Sequence, residues 1–164
     1  MSGGTAGRVD YIPRTRELYA PTPPYRWADN REAPVPWTPL ERPLAQCRVA
    51  LASSGGVYVD GQEPFGLDDD TSIRVVPADI DTSRLRVAHF GYPMGDARSD
   101  PNCVFPIDRM RELAAAGVIG SLARSALTFM GGIYSQRRVI EELVPSILDV
   151  LRADEIDLFY LVPA

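Results

Sequence analysis

Residues 86–120, RVAHFGYPMGDARSDPNCVFPIDRMRELAAAGVIG, decide the fold because they combine a strand, a polar loop and a helix in that order. The apolar residues at the start predict a strand from Arg86 to Phe90, which carries His89, the single histidine of the chain, near its end. After the loop, apolar residues recur at helical spacing and predict a helix from Pro106 to Ala116, which Gly117 ends. Because ligands of open α/β sheets bind beyond the carboxyl ends of strands, the loop is the expected site.

Further apolar runs on either side of this stretch predict buried strands. One run predicts a strand from Arg48 to Ala52, and another, near the C-terminus, predicts a strand from Leu158 to Val162. A shorter run predicts a strand from Ser72 to Val76. Together with the strand at Arg86 to Phe90, these runs indicate an α/β domain over residues 47–164 with a mainly parallel sheet and flanking helices.

A second helix is predicted from Gln136 to Arg152, with Ser135 as its N-cap and a kink or a restart at Pro145. Residues 118–132 mix apolar residues with glycines and predict a buried, irregular connection with room for one short strand. No helix follows the strand at Leu158 to Val162 to cover it. We therefore expect an incomplete doubly wound domain.

Residues 1–46 predict an arm rather than part of the core. They hold eight of the 15 prolines, which excludes a regular helix or a central strand for most of the segment. The segment is nevertheless rich in aromatic residues, which disordered tails usually lack. We expect an arm that packs on the domain or on a partner subunit, with a short helix from Pro13 to Tyr19; a flexible linker is the alternative. The aromatic residues are Tyr11, Tyr19, Tyr25, Trp27 and Trp37.

Composition excludes several classes of function. With a net charge of −5 and no clustered basic face, the chain cannot neutralise a phosphate backbone, so we expect no nucleic-acid partner. All 17 basic residues are arginine, which excludes chemistry that needs a lysine amine. No stretch approaches the roughly 20 apolar residues that span a membrane, so we expect a cytoplasmic protein without a membrane partner. The two cysteines have no spacing that predicts a zinc site or a disulfide framework.

The strand end and the loop hold four candidate catalytic residues, His89, Asp96, Asn102 and Cys103. His89 can exchange a proton near neutral pH, or it can simply satisfy a loop carbonyl. Asp96 and Asn102 offer too few oxygens for a calcium loop, so no metal site is predicted and turn chemistry is the alternative. Cys103 can be a resolving thiol, but because the apolar Val104 and Phe105 follow it, a small buried hydrophobic residue is favoured.

Five further residues are candidates for substrate binding. Ser54, Gly55 and Gly56 form a turn directly after the first strand. Glycines with positive φ can point backbone N–H groups at an anion such as a carboxylate, although a simple turn is the alternative. Tyr92 and Asp100 add polar groups within the loop.

A series of short motifs follows Cys47 in a specific order and spacing. They are Arg48-Val-Ala-Leu51, Ser54-Gly-Gly-Val57, Glu63-Pro-Phe65, Arg74 to Pro77, Arg86-Val-Ala-His89, Asp96, Asp100, Asn102, Val104 to Arg109, Arg111-Glu-Leu113, Gly117-Val-Ile-Gly120 and Phe129-Met-Gly131. Together they resemble the selenoprotein B family of the glycine, sarcosine and betaine reductases and of D-proline reductase. The resemblance covers nearly all of the chain after Cys47.

The resemblance implies reductive cleavage of a C–N bond in a small amino acid or amine, with a selenolate or thiolate as nucleophile and a dithiol as electron source. In that family a selenocysteine or cysteine follows an apolar strand that ends much like Leu161-Val-Pro163. The reactive position would then come directly after Ala164, and neither Cys47 nor Cys103 occupies it. We therefore expect an oxidoreductase subunit that lacks its own nucleophile as given, holds no other cofactor, and joins a partner subunit or self-associates.

The same resemblance places three of the candidate residues in one pocket. His89, Asp96 and Asn102 are expected near the end of the strand at Leu158 to Val162, because a proton donor must come within hydrogen-bond reach of the reacting group. Two other functions stay open: a non-catalytic module that holds a small carboxylate, and a structural subunit that docks on a partner through its arm and its uncovered strand.

Overall fold

The computed structural model describes residues 37–164, together with residues 17 and 34. The chain divides into two units, Met1–Thr38 and Pro39–Ala164, and the second unit holds the sheet. Apart from Glu17, the helix expected from Pro13 to Tyr19 lies outside the described residues, as does the packing of most of the arm.

Within the described residues the domain alternates short strands and helices. In chain order they are β1 (Arg48–Ser53), β2 (Val57–Val59), β3 (Arg74–Pro77), β4 (Leu85–Val87), α1 (Gly95–Ser99), α2 (Ile107–Ala115), β5 (Ser121–Leu122), β6 (Ser125–Thr128), α3 (Gln136–Arg138), α4 (Val144–Ala153) and β7 (Leu158–Val162). Short 3₁₀ turns at Leu44–Gln46, Thr82–Arg84 and Pro101–Cys103 precede β1, β4 and α2.

β1 lies inside a mixed, five-stranded sheet. β7 pairs in parallel along one edge of β1, from Val49 opposite Leu158 to Ser53 opposite Val162. On the other edge, β5 pairs in parallel with the start of β1 and β6 pairs in parallel with its end. β3 pairs antiparallel with β6. The α/β class is thus confirmed, and the two continuous apolar runs of the sequence are neighbouring parallel strands.

The strand expected from Arg86 to Phe90 is not part of this sheet, so that prediction is wrong. β4 covers only Leu85–Val87 and pairs antiparallel with β2 in a separate two-stranded sheet. Its middle residue is exposed between two buried ones, which is the pattern of a strand with one solvated face. The chain leaves the strand before His89, which therefore lies in the loop.

Both long helices of the sequence analysis are present, and the second is interrupted. Gly117 ends α2 with a φ of 69°. Ser135 caps α3, since its Oγ accepts a hydrogen bond from the N–H of Arg138 at 3.3 Å. Between α3 and α4 the chain forms a π-helical turn at Val139–Leu143. The π-helical turn lies directly before Pro145. Because proline has no N–H to donate and its ring crowds the carbonyl four residues back, the regular α-helical hydrogen bonds cannot continue there.

Alternate side chains of β1 build one core on each face of the sheet. Leu51 points to the face covered by α2, where it packs in the same cluster as Ile107. Ala52 points to the other face and shares a cluster with Leu151 of α4. The small alanine side chains on this second face leave room for α4 to lie close to the strands.

β5 and β6 occupy the segment that the sequence predicted to be an irregular connection. The two strands are two and four residues long, and in such short runs helix and strand cannot be distinguished by periodicity. Arg124 separates them, and its side chain pairs with Asp154 at 2.9 Å. The sequence predicted at most one short strand in this segment. The structure has two, and β6 is an inner strand of the sheet, between β1 and β3.

Candidate functional site

The carboxyl ends of three neighbouring parallel strands meet at one place in the domain. Ser54 follows β1, Gly131 lies just beyond β6, and Ala164 lies just beyond β7. The N–H of Ala164 donates to Ser54 Oγ at 2.9 Å. A Cβ atom on Gly131 would lie 3.1 Å from the carbonyl oxygens of both Ala164 and Ser54. This is the edge of an α/β sheet at which ligands bind.

His89 reaches the same place from the loop after β4. Its side chain is buried, with 6% of its surface exposed. Nε2 lies 3.2 Å from the position that a Cβ on Gly131 would take, next to the Ser54 and Ala164 carbonyls. The predicted proximity of His89 to the end of the last strand is therefore present in the structure.

The ring nitrogens of His89 are not equivalent. Nδ1 accepts a hydrogen bond from the N–H of Gly91 at 2.8 Å, so it carries no proton in this arrangement. In the neutral ring the proton is then on Nε2. Nε2 is buried and has no hydrogen-bond partner among the described residues. The Ser54 carbonyl lies near Nε2 without meeting the geometry of a hydrogen bond. Burial lowers the pKa of His89, and the weak interaction with this carbonyl raises it by less. His89 is therefore built as a fixed, neutral hydrogen-bond donor.

Two aromatic residues hold the imidazole in place. The Tyr92 ring centroid lies 4.5 Å from that of His89, and the Phe90 ring stacks on it at 5.7 Å. Tyr92 Oη donates to the carbonyl of Gly55 at 2.7 Å, which ties the loop to the end of β1. Burial raises the pKa of Tyr92 above its usual value, so the hydroxyl keeps its proton.

The turn at Gly55 and Gly56 is closed upon itself. Gly56 has a φ of 66°, as a glycine turn allows, and a Cβ there would lie 2.1 Å from the Ala88 carbonyl oxygen. The Gly55 N–H donates to Ser53 Oγ at 3.0 Å, and the Gly56 N–H donates to the Phe129 carbonyl at 3.1 Å. Since both N–H groups are used within the fold, neither is directed at a carboxylate.

Asn102 and Asp100 are used at the start of α2. The Asn102 side chain accepts from the N–H of Asp108 at 3.0 Å and donates to the Asp108 carboxylate at 2.9 Å. Asp100 accepts from the N–H of Asn102 at 3.0 Å, and hydrogen bonds from Asn102 lower the pKa of Asp100. Asp96 lies exposed in the first turn of α1. No hydrogen bond or salt bridge within the described residues joins Asp96 or Asn102 to His89.

Cys103 is exposed, so the prediction of a small buried hydrophobic residue is wrong there. The 3₁₀ turn that ends at this residue directs its side chain outward, while its apolar neighbour Phe105 is fully buried. The pKa of the Cys103 thiol is raised by partial burial and by the nearby carboxylates of Asp100 and Asp96. Cys47 is the buried thiol of the pair.

Sequence reasoning did not identify Gly131 as a site residue. Its position could have been found from the order of elements, because the segment after β6 must return to the same sheet edge as Ser54. Among residues 37–164, no group of three or more histidine, cysteine, aspartate or glutamate side chains is arranged to hold a metal ion. No helix in that part of the chain has the length and apolar character to cross a membrane.

Comparison with known proteins finds relatives among reductase subunits. The chain is 38% identical over 141 residues to the D-proline reductase subunit gamma of Acetoanaerobium sticklandii, covering 86% of this chain and 54% of that protein. It is 34% identical over 107 residues to the sarcosine reductase complex component B subunit beta of Peptoclostridium acidaminophilum, covering 59% of this chain and 23% of that protein. The chain thus spans about half, or less, of the length of these curated relatives.

A third relative is the glycine reductase complex component B subunit gamma of Symbiobacterium thermophilum, which is 32% identical over 94 residues. No solved structure matches the chain. Residues 30–163 match the family described as glycine/sarcosine/betaine reductase selenoprotein B, which is most of the chain. The chain therefore belongs to the glycine/sarcosine/betaine reductase selenoprotein B family.

Proposed function

We propose that this chain forms the nucleophile-supporting part of a reductase that cleaves the C–N bond of a small amino acid or amine. The relatives are named as subunits of D-proline, sarcosine and glycine reductases, which supports a substrate of this class. We propose that the selenocysteine or cysteine of the family follows directly on Ala164. A thiol or selenol of this kind works with a dithiol reductant, and such chemistry belongs in a reducing compartment such as the cytoplasm.

One observation carries the proposal: the Nε2–H of His89, which has no well-formed hydrogen bond among the described residues, lies beside the carbonyls of Ser54 and Ala164. A buried donor without a partner is costly, so its presence calls for a ligand atom that accepts its hydrogen bond. A thiolate or selenolate in the next position is such an acceptor. A hydrogen bond to the anion stabilises it, which lowers the pKa of the thiol and raises the fraction that is reactive at neutral pH.

The overall reaction balances with a dithiol as co-reactant. The C–N bond breaks, its electron pair leaves with the nitrogen as an amine, and the carbon gains a hydrogen. The two electrons come from the dithiol, which becomes a disulfide. In this scheme the chain itself supplies the hydrogen bond from His89, whose tautomer the Gly91 N–H fixes. Neutral histidine serves as a hydrogen-bond donor in other enzymes when its pKa is lowered.

The test is to add one cysteine after Ala164 in a Cys103→Ser background and to follow its alkylation as a function of pH. With His89 present, we expect the added thiol to have a pKa about one unit below the usual value of about 8.5. A His89→Leu variant removes the donor, and a His89→Gln variant keeps an N–H group; only the first should lose most of the shift. Dithiol-dependent ring opening of D-proline to a primary amine, and release of amine from sarcosine and glycine, are then measured with the same proteins.

Two results would contradict the proposal. One is an added thiol that titrates like free cysteine whichever residue stands at position 89. The other is an unchanged rate of amine release when His89 is replaced by leucine.

Docking on a partner is the second candidate function, and the exposed surface of β7 favours it. Phe159 and Leu161 are 37% and 47% exposed, although they lie in a strand whose sequence is typical of a buried one. Within the described residues β7 pairs only with β1, so its outer edge can accept another strand. We propose that a further strand, with a helix over it, completes a doubly wound domain there.

A further inference from the structure

Gly131 and Gly132 lie directly beneath the side chains that form the candidate site. A Cβ on Gly131 would meet His89 Nε2 at 3.2 Å and the Ala164 oxygen at 3.1 Å. A Cβ on Gly132 would lie 2.0 Å from the nearest atom of the Phe90 ring. Gly131 thus lies against the ring of His89, and Gly132 lies against the ring of Phe90, the next residue of the loop.

The backbone does not require glycine at either position. Among the described residues, the glycines with positive φ are Gly56, Gly61 and Gly117, and this pair is not among them. Any residue could adopt their backbone conformation. What excludes a side chain is the space, since an added carbon would take the room now used by the imidazole and the Phe90 ring.

The two contacts differ in how readily they can relax. Phe90 is 42% exposed, so its ring can swing toward solvent if a methyl group appears at Gly132. The imidazole of His89 is buried, packed against the tilted ring of Tyr92 and held through Nδ1 by Gly91, so it has much less freedom to move. A methyl group at Gly131 would also lie between Nε2 and the Ala164 carbonyl, where a ligand atom would have to sit.

We propose that Gly131 and Gly132 are positioning residues of the reductase site, whose missing side chains keep the His89 Nε2–H open toward the end of the β7 segment. This proposal rests on the proposed function for the identity of the acceptor. It does not depend on that function for the placement of His89. Gly131 acts directly on the donor, and Gly132 acts through the Phe90 ring.

The experiment compares Gly131→Ala, Gly132→Ala and Gly95→Ala in the full chain. Gly95 is the matched control because a Cβ there meets no atom within 4 Å, and its backbone φ is not positive. Because His89 is the single histidine, ¹⁵N labelling of histidine gives one pair of ring resonances to follow. We expect Gly131→Ala to shift the Nε2 resonance and its tautomer balance, Gly132→Ala to do so less, and Gly95→Ala to leave both unchanged.

A second readout connects the pair to chemistry. In the protein with cysteine added after Ala164, Gly131→Ala should reduce alkylation of that thiol at neutral pH by up to about tenfold, the equivalent of one pKa unit. Gly95→Ala should leave the alkylation rate unchanged. If the cysteine added to the chain with glycine at position 131 shows no lowered pKa, the proposed function fails. The ring resonances still report whether Gly131 positions His89. Unchanged ring resonances in folded Gly131→Ala protein would overturn the present proposal.

Discussion

His89 combines three features that each limit what it can do: burial, a fixed Nδ1 acceptor and an Nε2–H that makes no hydrogen bond within the described part of the chain. A histidine that shuttles protons needs access to both protonation states near neutral pH. Here protonation of Nδ1 would set two N–H groups against each other at Gly91. The residue therefore offers a hydrogen bond of constant direction, which suits the stabilisation of an anion better than the transfer of a proton.

The lowered pKa of His89 gives a prediction about folding. The unfolded chain takes up a proton near the usual pKa of about 6.5, and the folded chain does so only at lower pH. This contribution to stability is then fully present above about pH 6.5 and is lost as the pH falls toward the folded-state pKa. Thermal unfolding from pH 7.5 to 5 should show a steeper loss for the native chain than for His89→Gln. Parallel curves for the two proteins would contradict it.

The two cysteines should behave differently toward a thiol reagent. Cys47 is fully buried and Cys103 is exposed, so the folded chain should show one reactive thiol and the denatured chain two. Because the pKa of Cys103 is raised, its reaction at neutral pH should be slower than that of free cysteine and should accelerate as the pH rises. Cys103→Ser should remove the native-state reaction; two reactive thiols in folded protein would refute this.

At this scale the sequence identified the residue that matters but not its geometry. His89 could be selected because it is the single histidine and follows an apolar strand. The role of Asn102 could not be selected, because an amide that caps a helix and an amide that binds substrate look the same in sequence. Gly131 could be identified only through the order of elements, because its neighbours His89 and Ala164 lie 42 and 33 positions away in the sequence.

At the scale of secondary-structure elements, two glycines form turns with nearly the same φ but in different surroundings. Gly56 and Gly117 have φ values of 66° and 69°. A Cβ on Gly117 would meet nothing within 4 Å, whereas a Cβ on Gly56 would lie 2.1 Å from the Ala88 carbonyl oxygen. Gly117 is needed for its conformation alone, and Gly56 is needed also for the close approach to Ala88, where the β2–β4 ladder ends.

Alanine substitutions should separate these two needs. Gly117→Ala should lower the free energy of unfolding by about 1–2 kcal/mol, the cost of a left-handed residue with a side chain. Gly56→Ala should cost at least about 3 kcal/mol, because the backbone must also move away from Ala88. Chemical denaturation of both variants measures the difference. Equal losses would show that the contact at Gly56 relaxes without cost.

Element prediction succeeded where the local pattern was long and failed where tertiary pairing decided the outcome. The helix after Pro106 and the apolar runs at β1 and β7 follow from periodicity and length. Whether Arg86 to Phe90 joins the main sheet depends on whether β4 pairs with β1 or with β2. A three-residue strand carries no information on that choice. The sequence predicted a kink or a restart at Pro145, and the structure has a π-helical turn before the helix restarts at Val144.

The two faces of the whole domain differ in how well its last strand is covered. Leu158 and Val162 of β7 pack against the larger core. Phe159 and Leu161 point to the opposite face, which they share with Ala50 and Ala52 opposite them in the register. On that face α4 covers the alanines but leaves the two larger side chains partly exposed. The domain therefore presents an apolar strip, Phe159 and Leu161, beside the edge of β7 that is unpaired among the described residues. A surface of this kind is typically covered by another segment of protein chain.

This strip predicts how the 164-residue chain behaves in solution. Apolar surface contributes about 25 cal/mol for each Å² removed from water, so the strip should drive self-association or the binding of a hydrophobic dye. Replacing both Phe159 and Leu161 with lysine should reduce association and dye fluorescence, because charged side chains protect a strand edge. Leu67→Lys is the matched control, since Leu67 is 60% exposed and lies away from any strand. Light scattering and dye titration measure both effects. A native chain that stays monomeric and binds no dye would show that β7 needs no partner.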